Sequence, residues 1–287
     1  MSLSKLKAII KGKKYLPFEQ DGKTYNLYDL PKGFVIKGSL DLINKNLTEL
    51  PDLSDVVVKG NFACSDNKLT SLKGAPQKVG GSFLCDHNGL TSLEGGPKEV
   101  GEYFLCNHNQ LTSLKGAPKA VGEDFRCYNN KLTSLEGGPQ QVGGKFDCHS
   151  NQLTSLKGAP QKVDGPFHCY DNKLTTLEGA PNEIGGLFRC NCNKLTSLEY
   201  APLLKKNNKI YCDDSLGDIY GFPQTNLFGI SREELCNNPL YRSEVAMNRV
   251  RSKIPQGQVK TQKKAFEKTN AEFSQWLKDN SNKPTRE

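Results

Sequence analysis

A period of 21 residues governs this chain and leaves few architectures open to it. Phe62, Phe83, Phe104, Phe125, Phe146, Phe167 and Phe188 recur at that interval, and Cys64, Cys85, Cys106, Cys127, Cys148, Cys169 and Cys190 recur with them. Each copy reads approximately F-x-C-x-x-N-x-L-T-S-L-[KE]-G-[AG]-P-x-x-V-G-G-x; in the second copy the landmarks are Phe83, Cys85, Asn88, Leu90, Leu93, Pro97 and Val100. Self-similarity at such a period marks a solenoid, in which one coil cannot bury its own apolar edge and stacking supplies the core. Composition agrees. Apolar residues are 36% of 287, with 27 Gly and 15 Pro and a mean hydropathy of −0.60. That is too lean for one thick core but sufficient for one thin buried stripe per coil.

Phe and Cys stand two apart, so both point to one face of a short strand. The Asn that follows (67, 88, 109, 130, 151, 172 and 193) falls where the chain turns, and its amide is placed to bond the backbone of neighbouring coils. Two Leu and a Val complete the buried stripe, while Gly and Pro bend the return segment. The flanks look like caps. Leu40, Leu42, Leu47 and Leu50 match the Phe, Cys and Leu positions of an atypical first coil, with Lys45 in place of the ladder Asn; Ile210 and Cys212 match a decayed last one. Phe18 to Tyr25 predicts a β-hairpin around the turn Asp21-Gly22, suited to covering the first open edge.

The block F-x-C-x-x-N-x-L-T-S-L resembles the leucine-rich-repeat pattern L-x-L-x-x-N-x-L, with Phe and Cys replacing two leucines. The short L-T-S-L-x-x-x-P segment is similar to the bacterial class of that family, whose other side is extended rather than helical. The particular wording of the copies is similar to repeat proteins of bacteriophage genomes. The resemblance implies a curved β-rich solenoid with one parallel sheet, an N-terminal cap and a short C-terminal helical segment. For function it implies binding and little more, because the family hosts many roles.

The expected organisation is an N-terminal cap with the atypical first repeat over 1–59, seven repeats over 60–202, a degenerate last coil over 203–230, helices over 231–279 and a disordered tail over 280–287. The helices are read from the capping-box sequence Ser231-Arg232-Glu233-Glu234, from Pro239 restarting a segment ended by Pro255, and from the apolar stripe Val259, Phe266, Phe273, Trp276 and Leu277.

Charge is uneven. The formal net charge is +8; residues 201–287 carry 15 Lys and Arg against 10 Asp and Glu, residues 1–59 carry 10 against 7, and the repeats carry 14 of each. Lys260, Lys263, Lys264 and Lys268 crowd one stretch. A solvated helix face explains them better than a nucleic-acid contact, because the nearby aromatics fall on the buried stripe. No apolar run of signal-peptide or bilayer-spanning length occurs, so a cytoplasmic protein with reduced thiols is expected, in a host cell if phage-encoded. The seven repeat cysteines read as a ladder of small buried thiols. Cys192 should face outward and be the reactive one, and Cys212 belongs to the terminal coil.

The repeats can be compared with one another. The Leu-Thr-Ser-Leu side hardly varies, and the position after it alternates in sign through Lys73, Glu94, Lys115, Glu136, Lys157 and Glu178, which predicts a row of surface ion pairs. The strand side varies freely. Between Phe and Cys run Ala63, Leu84, Leu105, Arg126, Asp147, His168 and Arg189; before Phe run Asn61, Ser82, Tyr103, Asp124, Lys145, Pro166 and Leu187; after Cys run Ser65, Asp86, Asn107, Tyr128, His149, Tyr170 and Asn191. Repeat drift explains some of this variation, but drift leaves small polar residues more readily than exposed Leu and Tyr.

Tyr and Arg are the types that dominate interface hot spots. The expected partner-binding residues are Leu84, His87, Tyr103, Leu105, His108, Arg126, Tyr128, Asp147, His149, His168, Tyr170 and Arg189 on a concave strand face. His87 and His108 stand at equivalent positions, but two ligands do not make a zinc site. No phosphate loop, nucleophile elbow or HExxH motif occurs, so neither catalysis nor a cofactor nor a metal is expected. The expectation is a protein-binding module, with a structural or virion assembly role and nucleic-acid binding through the basic C-terminal helices as alternatives; oligomeric state is left open.

Overall fold

Each Phe begins a two-residue strand whose backbone bonds to the coil after it: Phe83 N donates to Tyr103 O (2.8 Å), Phe104 N to Asp124 O (2.9 Å) and Phe125 N to Lys145 O (2.9 Å). In this computed structural model the described residues are 14–204, 208–213 and 230–231. The chain divides into two units, Met1–Glu244 and Val245–Glu287, and all of the second lies outside the described residues. So do the expected C-terminal helices beyond Ser231, the basic lysine cluster and the tail.

The solenoid is as expected, but it carries two parallel sheets where one was expected. Strands from Leu40–Asp41 through Phe188–Arg189 to Lys209–Tyr211 stack in parallel, one per coil, and Ile230–Ser231 closes this ten-stranded sheet by pairing antiparallel with Lys209–Tyr211. Register is one coil per step, Phe83 opposite Phe104 and Phe104 opposite Phe125. Ser231, read as a helix cap, thus sits in a strand; a cap residue is itself extended, and residues 232 onward lie outside the described ones. A second parallel sheet of nine strands runs from Val35–Ile36 to Leu203–Leu204, built from the segment that carries the repeat Val. Among the described residues the only helix is the 3-10 turn Leu27–Asp29.

The core lies between the two sheets. All seven repeat Phe, all seven repeat Cys and nearly every repeat Leu are fully buried. The Phe rings stack along the axis, with centroids 5.1–5.5 Å apart from Phe62 to Phe167 and planes 6–26° apart. The last step, Phe167 to Phe188, loosens to 5.9 Å and 48°. Burial pushes the repeat thiols up, so they stay protonated, and several donate to the next coil, as Cys106 Sγ does to Arg126 O (3.4 Å).

The Asn ladder closes the turns. Asn109 Nδ2 donates to Cys85 O (3.1 Å), Cys106 O (3.1 Å) and Asn107 O (3.2 Å), while its Oδ1 accepts from Leu90 N (3.0 Å), and the pattern repeats from coil to coil. The return turn needs glycine. Gly74, Gly95, Gly116, Gly137, Gly158 and Gly179 adopt φ of 84–95°, and a Cβ on Gly116 would lie 2.5 Å from Leu93 O.

The N-terminal end carries the expected hairpin. β1 (Pro17–Gln20) and β2 (Lys23–Asn26) form the hairpin, with Asp21 and Gly22 at φ 51° and 68°. The Gln20 amide covers the free edge of strand Val35–Ile36, donating to Val35 O (3.1 Å) and accepting from Lys37 N (2.8 Å). Leu40 and Leu42 are buried in the first coil, and Ile210 and Cys212 in the last. On the Leu-Thr-Ser-Leu side the expected row of ion pairs is present as two separate pairs, Lys115–Glu94 (2.8 Å) and Lys157–Glu178 (3.4 Å). Exposed pairs of this kind contribute little.

Candidate interaction face

The strand face is organised by one backbone rule. The residue two after each repeat Cys is left-handed in every coil: Asp66, His87, His108, Asn129, Ser150, Asp171 and Cys192 have φ between 51° and 56°. Asn, Asp and His tolerate this conformation better than most residues, so the fold itself favours His87 and His108 where they stand. Their rings lie face to face, 4.2 Å apart and 17° from parallel. Stacked rings hold their in-plane lone pairs parallel, which is poor geometry for a shared ion. Among the described residues no group of three or more His, Cys, Asp or Glu is placed to hold a metal ion.

The stack continues. His108 meets Tyr128 edge-on (5.3 Å, 81°), Tyr128 stacks on His149 (4.4 Å, 13°), and His149 stacks on Tyr170 (4.3 Å, 10°). The one perpendicular step falls where the ring moves from the left-handed residue to the residue before it. The separations follow from strand spacing of about 4.8 Å. Burial, then the neighbouring His87, holds the His108 imidazole below its ordinary value, and burial pushes the Tyr128 and Tyr170 phenols up. Around neutral pH the His108, Tyr128 and Tyr170 rings are uncharged.

Beside the rings runs a line of charge. Residues two apart on a strand share a face, and Asp124 Oδ2 accepts from Arg126 Nε (3.2 Å) and Nη2 (2.8 Å). Asp147, expected on the contact ribbon, is instead buried at 2% exposure. Three neighbours make that tolerable: Lys145 Nζ at 2.9 Å, His149 Nδ1 at 2.5 Å and His168 Nδ1 at 3.7 Å. Burial alone would raise the Asp147 carboxyl. The contacts from His149, His168 and Lys145 outweigh it and hold the group well below the usual carboxylate range.

The remaining expected residues divide by exposure. Tyr103 is exposed (39%), and His87 and His108 are exposed; Leu84, Leu105, Arg126, Tyr128, His149, His168, Tyr170 and Arg189 are half-buried. Leu84 and Leu105 therefore form a shallow apolar floor beside Tyr103 rather than a protruding cluster. Sequence reasoning left Asp124, Lys145 and Tyr211 out of the site. The first two fix the charged side chains, and the Tyr211 ring lies 5.2 Å beneath the Arg189 guanidinium. The alternation of strand residues was the signal that would have found them.

No protein-family model and no curated protein matches the chain. Among solved structures, YopM from Yersinia enterocolitica WA-314 is similar at TM-score 0.45 and 23% identity, over 62% of this chain and 40% of that one. The chain thus aligns with well under half the length of that protein. The leucine-rich-repeat-like solenoid is established by the ladders and register described above. No described helix is long and apolar enough to cross a membrane.

Proposed function

We propose that the chain is a non-enzymatic scaffold that binds another protein through its strand face. One observation carries this reading. The Leu-Thr-Ser-Leu side is nearly invariant from coil to coil, whereas the strand side changes residue types freely and still assembles a five-ring row from His87 to Tyr170, flanked by Arg126 and Tyr103. Rings and guanidinium groups already held by their neighbours lose little freedom on binding, and preorganisation of this kind favours affinity. The finer form of the proposal is a phage-encoded protein, from the resemblance of its repeats, with inhibition of a host factor as one use of such a surface.

The test is quantitative co-purification from the native cell with the full chain. A partner that the wild type retains should be lost by the triple variant Y103A/R126A/Y128A and kept by T112A/T133A on the other side. Equal retention by both variants would exclude the strand face.

A further inference from the structure

Two arginines occupy the same register position three coils apart, and their surroundings differ. Arg126 has Asp124 two residues upstream, and one oxygen of that carboxylate accepts from both Nε and Nη2. The residue in the same place beside Arg189 is Leu187, half-buried and apolar. The side-on edge of Arg189 lacks the acceptor that Arg126 has: its Nε is shielded from solvent and has no hydrogen-bond partner. His168, the register partner of Arg189 one coil back, has its Nε2 in the same condition. Asp147 faces His168 through Nδ1 at 3.7 Å and is already taken by Lys145 and His149.

An arginine cannot shed its charge, and its planar fork is matched by a carboxylate. A buried donor without an acceptor is costly. Tyr211 supports the guanidinium from one side. Leu187 and Pro166, both half-buried, give this edge of the strand face an apolar margin that would strengthen a charge-assisted bond formed beside it.

Building on the strand face as a protein-binding surface, we propose that Arg189, with His168, anchors an acidic side chain of the bound protein. The incoming Asp or Glu carboxylate would enter over Leu187 and take the place that Asp124 holds beside Arg126.

The experiment uses the full chain labelled at the arginine side chains, titrated with a capped hexaglutamate peptide, with capped hexaglutamine and, separately, with inorganic phosphate. Hexaglutamate should shift the Arg189 Nε–H resonance, identified by its loss in R189K, and leave that of Arg126 in place. R189K should weaken hexaglutamate binding about tenfold or more, since lysine lacks the side-on fork. L187D supplies an internal carboxylate copied from Asp124, so it should abolish the response while the protein stays folded. A response to phosphate but not to hexaglutamate, an unchanged response in L187D, or no shift of Arg189 with either anion would each overturn the anchor. In the co-purification, a partner lost by Y103A/R126A/Y128A but kept by both L187D and R189K would overturn the anchor and leave the binding face standing.

Discussion

Removing one ladder amide should cost more than a surface hydrogen bond and less than a core ring. Asn130 donates to Cys106 O (3.0 Å), Cys127 O (3.0 Å) and Tyr128 O (3.2 Å), and accepts from Leu111 N (2.9 Å). The three carbonyls keep other donors, namely Asn109, Asn151 and the His108 backbone. Leu111 N does not; in N130A it becomes a buried donor without a partner, at about 1–3 kcal/mol. With three weakened acceptors added, N130A should lose about 3 kcal/mol in urea unfolding followed by far-ultraviolet circular dichroism.

N130D makes the test sharper. Its carboxylate can still accept from Leu111 N, but it faces three carbonyl oxygens, which raises its folded-state pKa above the unfolded value near 3.9. A raised carboxyl is most stabilising when protonated, so the N130D deficit should be smallest at acidic pH and grow as pH rises through the folded-state value. A loss under about 1 kcal/mol in N130A, or an N130D deficit independent of pH, would refute the ladder as a stabilising device.

Three further outcomes are expected. F125A removes a ring stacked on both sides, by Phe104 and Phe146, and should cost about 3–5 kcal/mol by thermal or urea unfolding. D147N strands Lys145, His149 and His168 without their carboxylate. Because the Asp147 carboxyl is depressed in the folded state, its contribution is present above the unfolded value of about 3.9 and is lost as pH falls toward the lower folded one. The stability gap between D147N and wild type should therefore close below about pH 4, as read from melting curves across pH. Cys192 is exposed while the other described cysteines are buried, so C192S should remove one fast-reacting equivalent in a thiol titration of the folded protein.

The fold was legible because its driving residues are large and periodic. Phe and Cys two apart, Leu three apart and one Asn per coil leave a single stacking direction, and the caps at Leu40 and Ile210 keep the same pattern. The second sheet was not legible. Its strands are two residues long, such as Lys78–Val79, and one inward Val per coil carries no alternation of its own. On the strand face, the row of candidate residues was visible but its exposure was not. Asp147 reads as solvent-facing by type, and its burial depends on Lys145 just before its strand and on His149 and His168 around it. The left-handed position did leave a trace in the sequence, since Asp, His and Asn fill five of its seven places, a bias that backbone sterics explain.

Between Phe62 and Phe188 the step from one coil to the next is 21 residues, whereas Leu40 to Phe62 and Phe188 to Ile210 each span 22. A whole copy added to or taken from the regular interior would therefore leave every surviving neighbour facing a matching buried surface. Such a molecule can be lengthened or shortened in increments of one coil without relearning how to fold. The breadth of its strand face and its durability are then set by different parts of the same copy.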